Sequence, residues 1–321
     1  MSTRTFVVED RSAGQAVAAW LADRLRLTRA AVVRLVREQR VRVAGAPCLD
    51  PERRLHAGQR VEVRLPQPNG TPSQPAGPAP RVVHVDDQVA VVDKPPGLTT
   101  MRHAEEVAEH GPRARRFLPP TLADLLPPLL PPSRRGRPLP VRAVHRLDKE
   151  TSGLVVFART PEAESCLGRQ FRAHTTERLY LAVVRGRARE GRIESWLVDD
   201  RGDGRRGSGP PGQGQHAVTH VRVVEELGDF TLVECRLETG RTHQVRIHLG
   251  EAGTPLCGER VYDRPVHGRP VPDDSGAKRV ALHAAMLGFD HPADGRRVRW
   301  TAPLPEDMEE LLRRLRRRAS G

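Results

Sequence analysis

The stretch "VHRLDKETSGL", Val144 to Leu154, sets a carboxylate, Asp148, two residues after an arginine and one before a lysine. A Thr-Ser-Gly turn follows, and then the apolar run "LVVFA". A short β-branched run bounded by such a turn reads as a buried strand. Asp148 therefore sits at the mouth of a strand, where an Asp can cap a turn or reach into a cleft. On this segment alone capping is the leading reading, ahead of catalysis. Glu150 reads as a solvated loop charge.

Outward from that loop, β-rich runs alternate with turns: "RVVHVDDQVAVVDKP", "YLAVVRG", "AVTHVRVVEEL", "FTLVECRLET", "HQVRIHL" and "RVALHAAMLGF". Few helices intervene. The expected class is α+β, with a mixed, largely antiparallel sheet rather than a doubly wound one. The tail "LPEDMEELLRRLRRR" reads as a helix. Acidic residues open it, arginines close it, and Met308, Leu311, Leu312 and Leu315 form one core-packing stripe.

Residues 1–65 read as a separate small α/β unit. Val17, Trp20, Leu21 and Leu25 recur at helical spacing, and "TRAAVVRLVREQR" is a second helix with Thr28 as its N-cap. Val61, Val63 and Leu65 alternate as in a strand. Thirteen Lys plus Arg against seven Asp plus Glu give this unit a net charge of +6, with Arg34 and Arg37 on the second helix. Residues 66–80, "PQPNGTPSQPAGPAP", have the composition of a linker. Residues 81–321 form the larger domain. Irregular Pro- and Arg-rich sequence at 103–139 and a Gly- and Arg-rich loop at 201–215 interrupt it, and "TLADLL" within the first suits a short helix.

The 321 residues carry a net charge of +13, which favours a polyanionic partner such as RNA. Aromatic residues make up 3%, too few for a sheet that stacks several bases on exposed rings. No apolar run is long enough to span a membrane, and no apolar leader opens the chain, so a cytoplasmic location is expected; a monomer is the expected assembly. The four cysteines have no paired spacing, and His243 and His248 lack the spacing of a helical zinc motif, so no metal is expected. Phosphate-loop and nucleophile-elbow motifs are absent. In "GRTHQVRIHL" (240–249), Arg241, His243, Arg246 and His248 fall on a segment whose alternation suggests a strand, with Arg246 and His248 on one face. An arginine on such a face calls for an anion nearby.

"HRLDKETSGL" resembles the signature of the RluA-type family of pseudouridine synthases. "VAVVDKPPGL", "RLYLAVVRG", "TGRTHQVRIHL" with "GTPLCGERVY", and "LHAAMLGFDHP" with "APLPEDMEELL" resemble further blocks of the same family, in its order. Residues 1–65 resemble the S-four-type RNA-binding domain, named for a small-subunit ribosomal protein. The sequence departs from the family pattern after "GL", where "TTMRH" leads into the Pro/Arg-rich insertion, and again in the 201–215 loop.

The resemblance implies a pseudouridine synthase fold with a central catalytic cleft and isomerisation of uridine to pseudouridine in RNA without a cofactor. It implies that Asp148 is the catalytic carboxylate and that Arg246 pairs with it. Tyr180 is then a general base or a stacking partner. Arg146 then helps extrude the target nucleotide or fills its place, and His145, Arg241, Arg34 and Arg37 are candidates for RNA contact. Large-subunit rRNA is the expected substrate and transfer RNA the alternative. A non-catalytic RNA-binding assembly factor on the same scaffold is a second class. An aspartate-dependent hydrolase is a third, and it would need a partner acid for Asp148.

Overall fold

The computed structural model describes residues 2–25, 27, 29–37, 40–65, 79–102, 118–132, 139–265 and 268–320. It divides into two compact units. One comprises Met1–Ser73 with Arg102–Asp124, the other Gln74–Met101 with Leu125–Gly321. Thr28 and most of the 66–80 stretch lie outside the described residues.

In the smaller unit, β1 (Ser2–Val7), β2 (Val41–Val43), β3 (Ala46–Pro47) and β4 (Arg60–Leu65) pair in the order β1-β4-β2-β3, all antiparallel. Alternation along β4 buries Val61, Val63 and Leu65, as a half-buried strand requires. Helix α1 (Val17–Leu25) buries Val17, Trp20, Leu21 and Leu25, and α2 (Arg29–Arg37) adds Val32 and Val36 to the same core. Leu21 is fully buried, and cutting such a leucine to alanine costs about 2–5 kcal/mol. One turn of helix, α3 (Leu122–Leu125), forms within "TLADLL".

The larger unit is built on an 11-stranded sheet. Its strands are β5 (Arg81–Val85), β6 (Val89–Lys94), β7 (Arg142–Ala143), β8 (Ser152–Ala158), β9 (Glu177–Arg185), β10 (Gly191–Val198), β11 (Gly207–Gly209), β12 (Gln215–Leu227), β13 (Phe230–Leu237), β14 (Leu282–Asp290) and β15 (Arg297–Thr301). The order is β11-β10-β12-β13-β9-β14-β8-β6-β5, with β15 beside β14 and β7 beside β8. Among the described residues the pairs are antiparallel except β14 with β8. The sheet is mixed and largely antiparallel, as the run of β-branched segments predicts.

Helix α4 (Pro161–Arg172) starts where Thr160 Oγ1 accepts the Ala163 N–H at 3.1 Å, with proline in the first turn, Glu162 and Glu164 after it and basic residues at the end. These signals suit the helix dipole and its unpaired amides. Ala163 and Leu167 then pack on Val89, Val91, Leu154 and Val156. The C-terminal α6 (Glu306–Ser320) buries the expected stripe against Val183, Leu227, Phe230 and Leu232.

One element differs from the sequence reading. "QVRIHLGE" is a helix, α5 (Gln244–Glu251), and not a strand. Its apolar residues alternate because almost every side of this short helix is enclosed: Val245, Ile247, His248, Leu249 and Gly250 are all buried. Enclosure overrides periodicity. Gln244 anchors the first turn, its Oε1 accepting from Arg241 N and Thr239 Oγ1 and its Nε2 donating to Val218 O and Thr219 Oγ1. Gly250 is required because a Cβ there would lie 2.2 Å from the Tyr262 carbonyl oxygen. No helix among the described residues is long and apolar enough to cross a membrane.

Candidate active site

The start of β8 and the middle of β9 meet across β14. Gly153 pairs with Ala284, and Ala284 with Tyr180. Gly153 has φ of 112°, and a Cβ there would sit 2.3 Å from the Ala284 oxygen. The glycine of "TSG" thus lets the Asp148 loop enter the sheet close against β14, one strand away from Tyr180. Three contacts hold the loop from below. Thr100 Oγ1 donates to Leu147 O at 2.8 Å, Gly97 N donates to Lys149 O at 2.8 Å, and Lys94 Nζ donates to the carbonyls of Pro95, Leu98 and Lys149. Lys94 is fully buried. Burial, with Arg279 adding to it, pushes its pKa down to about 7.

Above this loop opens a cavity of about 410 Å³. Its described lining holds five arginines (146, 172, 178, 241 and 246), three histidines (145, 174 and 243) and one carboxylate, Asp148. That lining is a trap for an anionic polymer with a single acid at its centre. Among the described residues no N–H or O–H donates a hydrogen bond to the Asp148 side chain, so it does not cap its turn. Two basic groups stand just beyond bonding range. Arg246 Nη1 is 3.6 Å from Oδ2, and His243 Nε2 is 3.7 Å from Oδ1.

Arg246 is held from behind. Its Nε and Nη2 form a two-pronged pair with Glu259 at 2.6 and 2.9 Å, and its guanidinium lies 5.2 Å from the Tyr262 ring centre. The Glu259 side chain is wholly enclosed, at 0% exposure. Burial opposes the charge on each partner, but the pairing wins. The Arg246 pKa is raised and the Glu259 pKa lowered. Glu259 Oε1 also accepts the N–H groups of Arg260 at 3.0 Å and Val261 at 2.8 Å.

His243 has φ of 60°, a left-handed conformation at the residue that opens α5. Left-handed backbone at a non-glycine residue is uncommon and clusters at functional sites. Its Nδ1 lies 2.7 Å from the Tyr262 hydroxyl. Burial lowers its pKa, with Asp148 opposing and Arg246 adding to the shift.

Tyr180 is 9% exposed and borders the cavity. Burial pushes its pKa up to about 12, with Arg178 opposing and Asp148 adding. Arg178, buried beside it, donates to Glu238 O at 3.0 Å.

The structure brings Asp148, Tyr180, Arg246, Arg146, His145 and Arg241 around one cavity. His145 turns inward. Its Nε2 accepts the Val156 N–H at 3.0 Å and its ring stacks on Phe171 at 4.4 Å. Arg241 Nε donates to His216 O at 2.9 Å. Arg34 and Arg37 belong to α2 of the smaller unit, and their side chains lie outside the described residues.

The pairing of Arg246 with His248 on one strand face is corrected, because α5 is a helix. Arg246 faces Asp148 and Glu259. His248 is buried, with Ser195 Oγ 3.0 Å from Nε2 and Thr219 Oγ1 2.9 Å from Nδ1. Sequence reasoning gave no role to Glu259, Tyr262, Arg178 or Lys94, and named His243 without a partner. Glu259 and Tyr262 lie in "GERVY", where a lone acid after a glycine carries no pattern of its own.

A basic cavity whose described lining holds one carboxylate, set in a mixed, largely antiparallel sheet, suits an enzyme acting on an anionic polymer. Comparison with known proteins makes the class specific. Residues 88–251 match the RNA pseudouridylate synthase family. The chain is 36% identical over 272 residues to ribosomal large subunit pseudouridine synthase D of Xanthomonas campestris pv. campestris, covering 83% of this chain and 78% of that one. It is 36% identical over 280 residues to the protein of the same name from Nitrosomonas europaea, covering 85% and 75%. The solved structure of human RNA Pseudouridylate Synthase Domain Containing 4 shares the fold, with a TM-score of 0.57 at 24% identity over 74% of this chain and 93% of that one. The chain belongs to the RNA pseudouridylate synthase family and is an RNA pseudouridine synthase.

Proposed function

We propose that this enzyme converts uridine to pseudouridine in large-subunit ribosomal RNA, with Asp148 as its reacting group. The observation that carries the reading is the Asp148 carboxylate, the one acid in the described lining of a basic cavity, which receives no hydrogen bond from the described residues. The names of the relatives above support the choice of RNA. In the reaction the bond from sugar to base nitrogen breaks, the base turns in the pocket, and a carbon–carbon bond forms to the same sugar. Asp148 either attacks the sugar or takes a proton from it, and both routes need this carboxylate ionised. Arg246 Nη1 and His243 Nε2 face it at 3.6 and 3.7 Å.

A Tyr262 phenol kept protonated by burial has one proton to give. Given to His243 Nδ1, it leaves the imidazole proton on Nε2, facing Asp148. Tyr180 takes the role of a protonated ring that the base rests on, because a phenol with a pKa of about 12 is a weak source of base near neutrality. Arg146, Arg172, Arg178 and Arg241 meet phosphates and the extruded nucleotide. Unstacking that nucleotide costs a few kcal/mol, which phosphate contacts offset.

The proposal extends to the smaller unit as an S-four-like RNA-binding domain, supported by its net +6 charge and its arginine-bearing helix. It also takes the enzyme to work as a cytoplasmic monomer. Deleting residues 1–80 should weaken binding to long structured RNA. The log–log salt slope should flatten by about 0.9 for each lost phosphate contact, taking the duplex-DNA value. Pseudouridine mapping of total RNA from cells with and without the gene tests the whole reading. Loss of a site in large-subunit rRNA is the expected result. Loss confined to transfer RNA, or no loss at all, would overturn it.

A further inference from the structure

We propose that His84, Asp86 and His291 form a structural site for one divalent transition-metal ion, zinc foremost. His84 lies in β5, Asp86 in the turn from β5 to β6, and His291 directly after β14, 205 residues from Asp86. His84 Nε2 and His291 Nε2 each lie 2.9 Å from the same oxygen, Asp86 Oδ2. The three ligand atoms all fall within 4.8 Å of one another. Two imidazoles and a carboxylate are a donor set for zinc and its neighbours; water completes the fourth position, which structural zinc sites usually close with a protein ligand. Ligands on a tetrahedral zinc at about 2.0–2.1 Å stand roughly 3.3 Å apart, so each ring needs to draw back from Asp86 Oδ2 by about half an ångström, and the two ring nitrogens, within 4.8 Å of one another, need to settle at that same spacing.

The surroundings are prepared for this. Asp86 Oδ1 accepts the N–H groups of Gln88 at 2.7 Å and Val89 at 2.8 Å, which fixes the carboxylate with Oδ2 outward. Arg159 holds the Asp86 carbonyl. The β5–β6 register shifts between Val82 and His84, a bulge that re-aims the His84 side chain. The His84 ring then packs 5.1 Å from Trp300 of β15.

Behind His291, Asp294 Oδ1 lies 3.9 Å from Nδ1. A carboxylate brought within hydrogen-bond distance of Nδ1 would keep the proton of a ligating imidazole there and leave Nε2 for the ion; Asp294 now accepts from Arg296 N and Nε. Metal binding would exchange the present contact of Nδ1 with the Ala293 N–H, at 3.3 Å, for that pairing. The ion would clamp the β5–β6 hairpin to the β14–β15 hairpin. None of its ligands borders the catalytic cavity, so the expected effect is on stability and not on turnover.

The test uses the full chain, stripped with a chelator and titrated with zinc by calorimetry and with cobalt(II) by visible absorption. One equivalent should bind, cobalt should give the intense bands of a tetrahedral site, and zinc should raise the melting temperature. His84→Gln and His291→Gln should each weaken binding by at least the roughly 10–100-fold that loss of an outer-shell partner costs. His220→Gln, at an exposed histidine of β12, should bind as the wild type does. Metal-free melts of each variant establish folding, and Asp86→Asn, which keeps an oxygen for the Gln88 and Val89 N–H groups, serves if a histidine variant fails. A stripped wild type that takes up no zinc, or equal binding by all ligand variants, would leave only a hydrogen-bonded cluster and overturn the proposal.

Discussion

Arg246 stands between two carboxylates that the fold treats in opposite ways. Glu259 is fully enclosed and grips the guanidinium at two points, at 2.6 and 2.9 Å. Asp148 is 19% exposed, faces the cavity and stays 3.6 Å away. A buried acid locked in a two-pronged pair has its oxygens committed and cannot react. An acid held near a charge, with no hydrogen bond from the described residues, keeps its lone pairs for substrate. One arginine thus serves as an anchored post on one side and as an electrostatic neighbour on the other. Substitutions on each side test this division, taken here in order of their expected effect on turnover.

The largest effect belongs to the exposed side. Asp148→Asn keeps the shape and removes the charge. Turnover should fall by at least the roughly 10²–10⁴-fold that one proton-transfer group contributes. RNA binding should stay within a few-fold, because phosphate contacts supply most of the affinity. Single-turnover tritium release from labelled uridine reads the first quantity and filter binding the second. Appreciable turnover by a pure preparation would remove Asp148 from the reaction.

Next is the buried side. Glu259→Gln leaves Arg246 with a weaker partner and a poorly compensated buried charge. Removing one member of such a pair costs about 3–5 kcal/mol. A displaced guanidinium should lower kcat by about 10–100-fold with KM little changed, since misplacement of about 1 Å costs that much. The carboxyl of Glu259 is held below its usual range, with burial opposing and Arg246 prevailing. Its stabilising contribution is therefore complete above the unfolded value and disappears as pH falls through the folded one. The variant should lack that acid loss in urea titrations. An unchanged kcat in a stable, folded Glu259→Gln protein would show the pair to be packing alone.

The two sides also differ in how far they can be read from the sequence. The Asp148 loop was legible because its chemistry, its glycine turn and its strand lie together within residues 144–158, and that strand is one continuous apolar run, buried along its whole length. The tail helix was legible from its stripe and its ends. The partner side was not. "HQVRIHL" alternates like a strand because a short helix enclosed on almost every side has no polar face to reveal its period. Glu259 is one acid in a turn, and only the fold brings it to Arg246. The cluster of His84, Asp86 and His291 is likewise invisible in one dimension, since 205 residues separate Asp86 from His291. Local chemistry reads directly from sequence. Chemistry assembled by packing does not.

A smaller effect is expected at Tyr180, which asks whether the cavity holds a second proton-transfer group. Tyr180→Phe keeps the ring and loses the hydroxyl. With the phenol pKa pushed up to about 12 by burial, turnover should stay within about tenfold of wild type, short of the 10²-fold or more that loss of a general base brings. Tyr180→Leu, which loses the ring face, should be worse. The wild-type rate should show no phenol ionisation between about pH 7 and 10. A rate for Tyr180→Phe as low as that of Asp148→Asn would make the hydroxyl a participant.

The smallest effect on turnover is expected at His145, three residues before Asp148. Its ring stacks on Phe171 and its Nε2 accepts the Val156 N–H, so it ties the loop to β8 and has no ring nitrogen left to accept from RNA at that edge. Burial, with Arg178 adding to it, pushes its pKa down to about 3, and protonating Nε2 would break the bond to Val156. Between that value and the ordinary one near 6.5 the unfolded chain binds a proton that the folded chain does not, so stability should rise with pH across this window and level off above it. His145→Phe keeps the stack and strands the Val156 N–H. It should cost about 1–3 kcal/mol near neutral pH, remove this part of the acid slope, and leave kcat at saturating RNA within a few-fold. Urea unfolding of both proteins from pH 4 to 8 gives the slope, and the same preparations give kcat. A variant that melts like the wild type but binds RNA tenfold more weakly would place His145 on the substrate instead of under the loop.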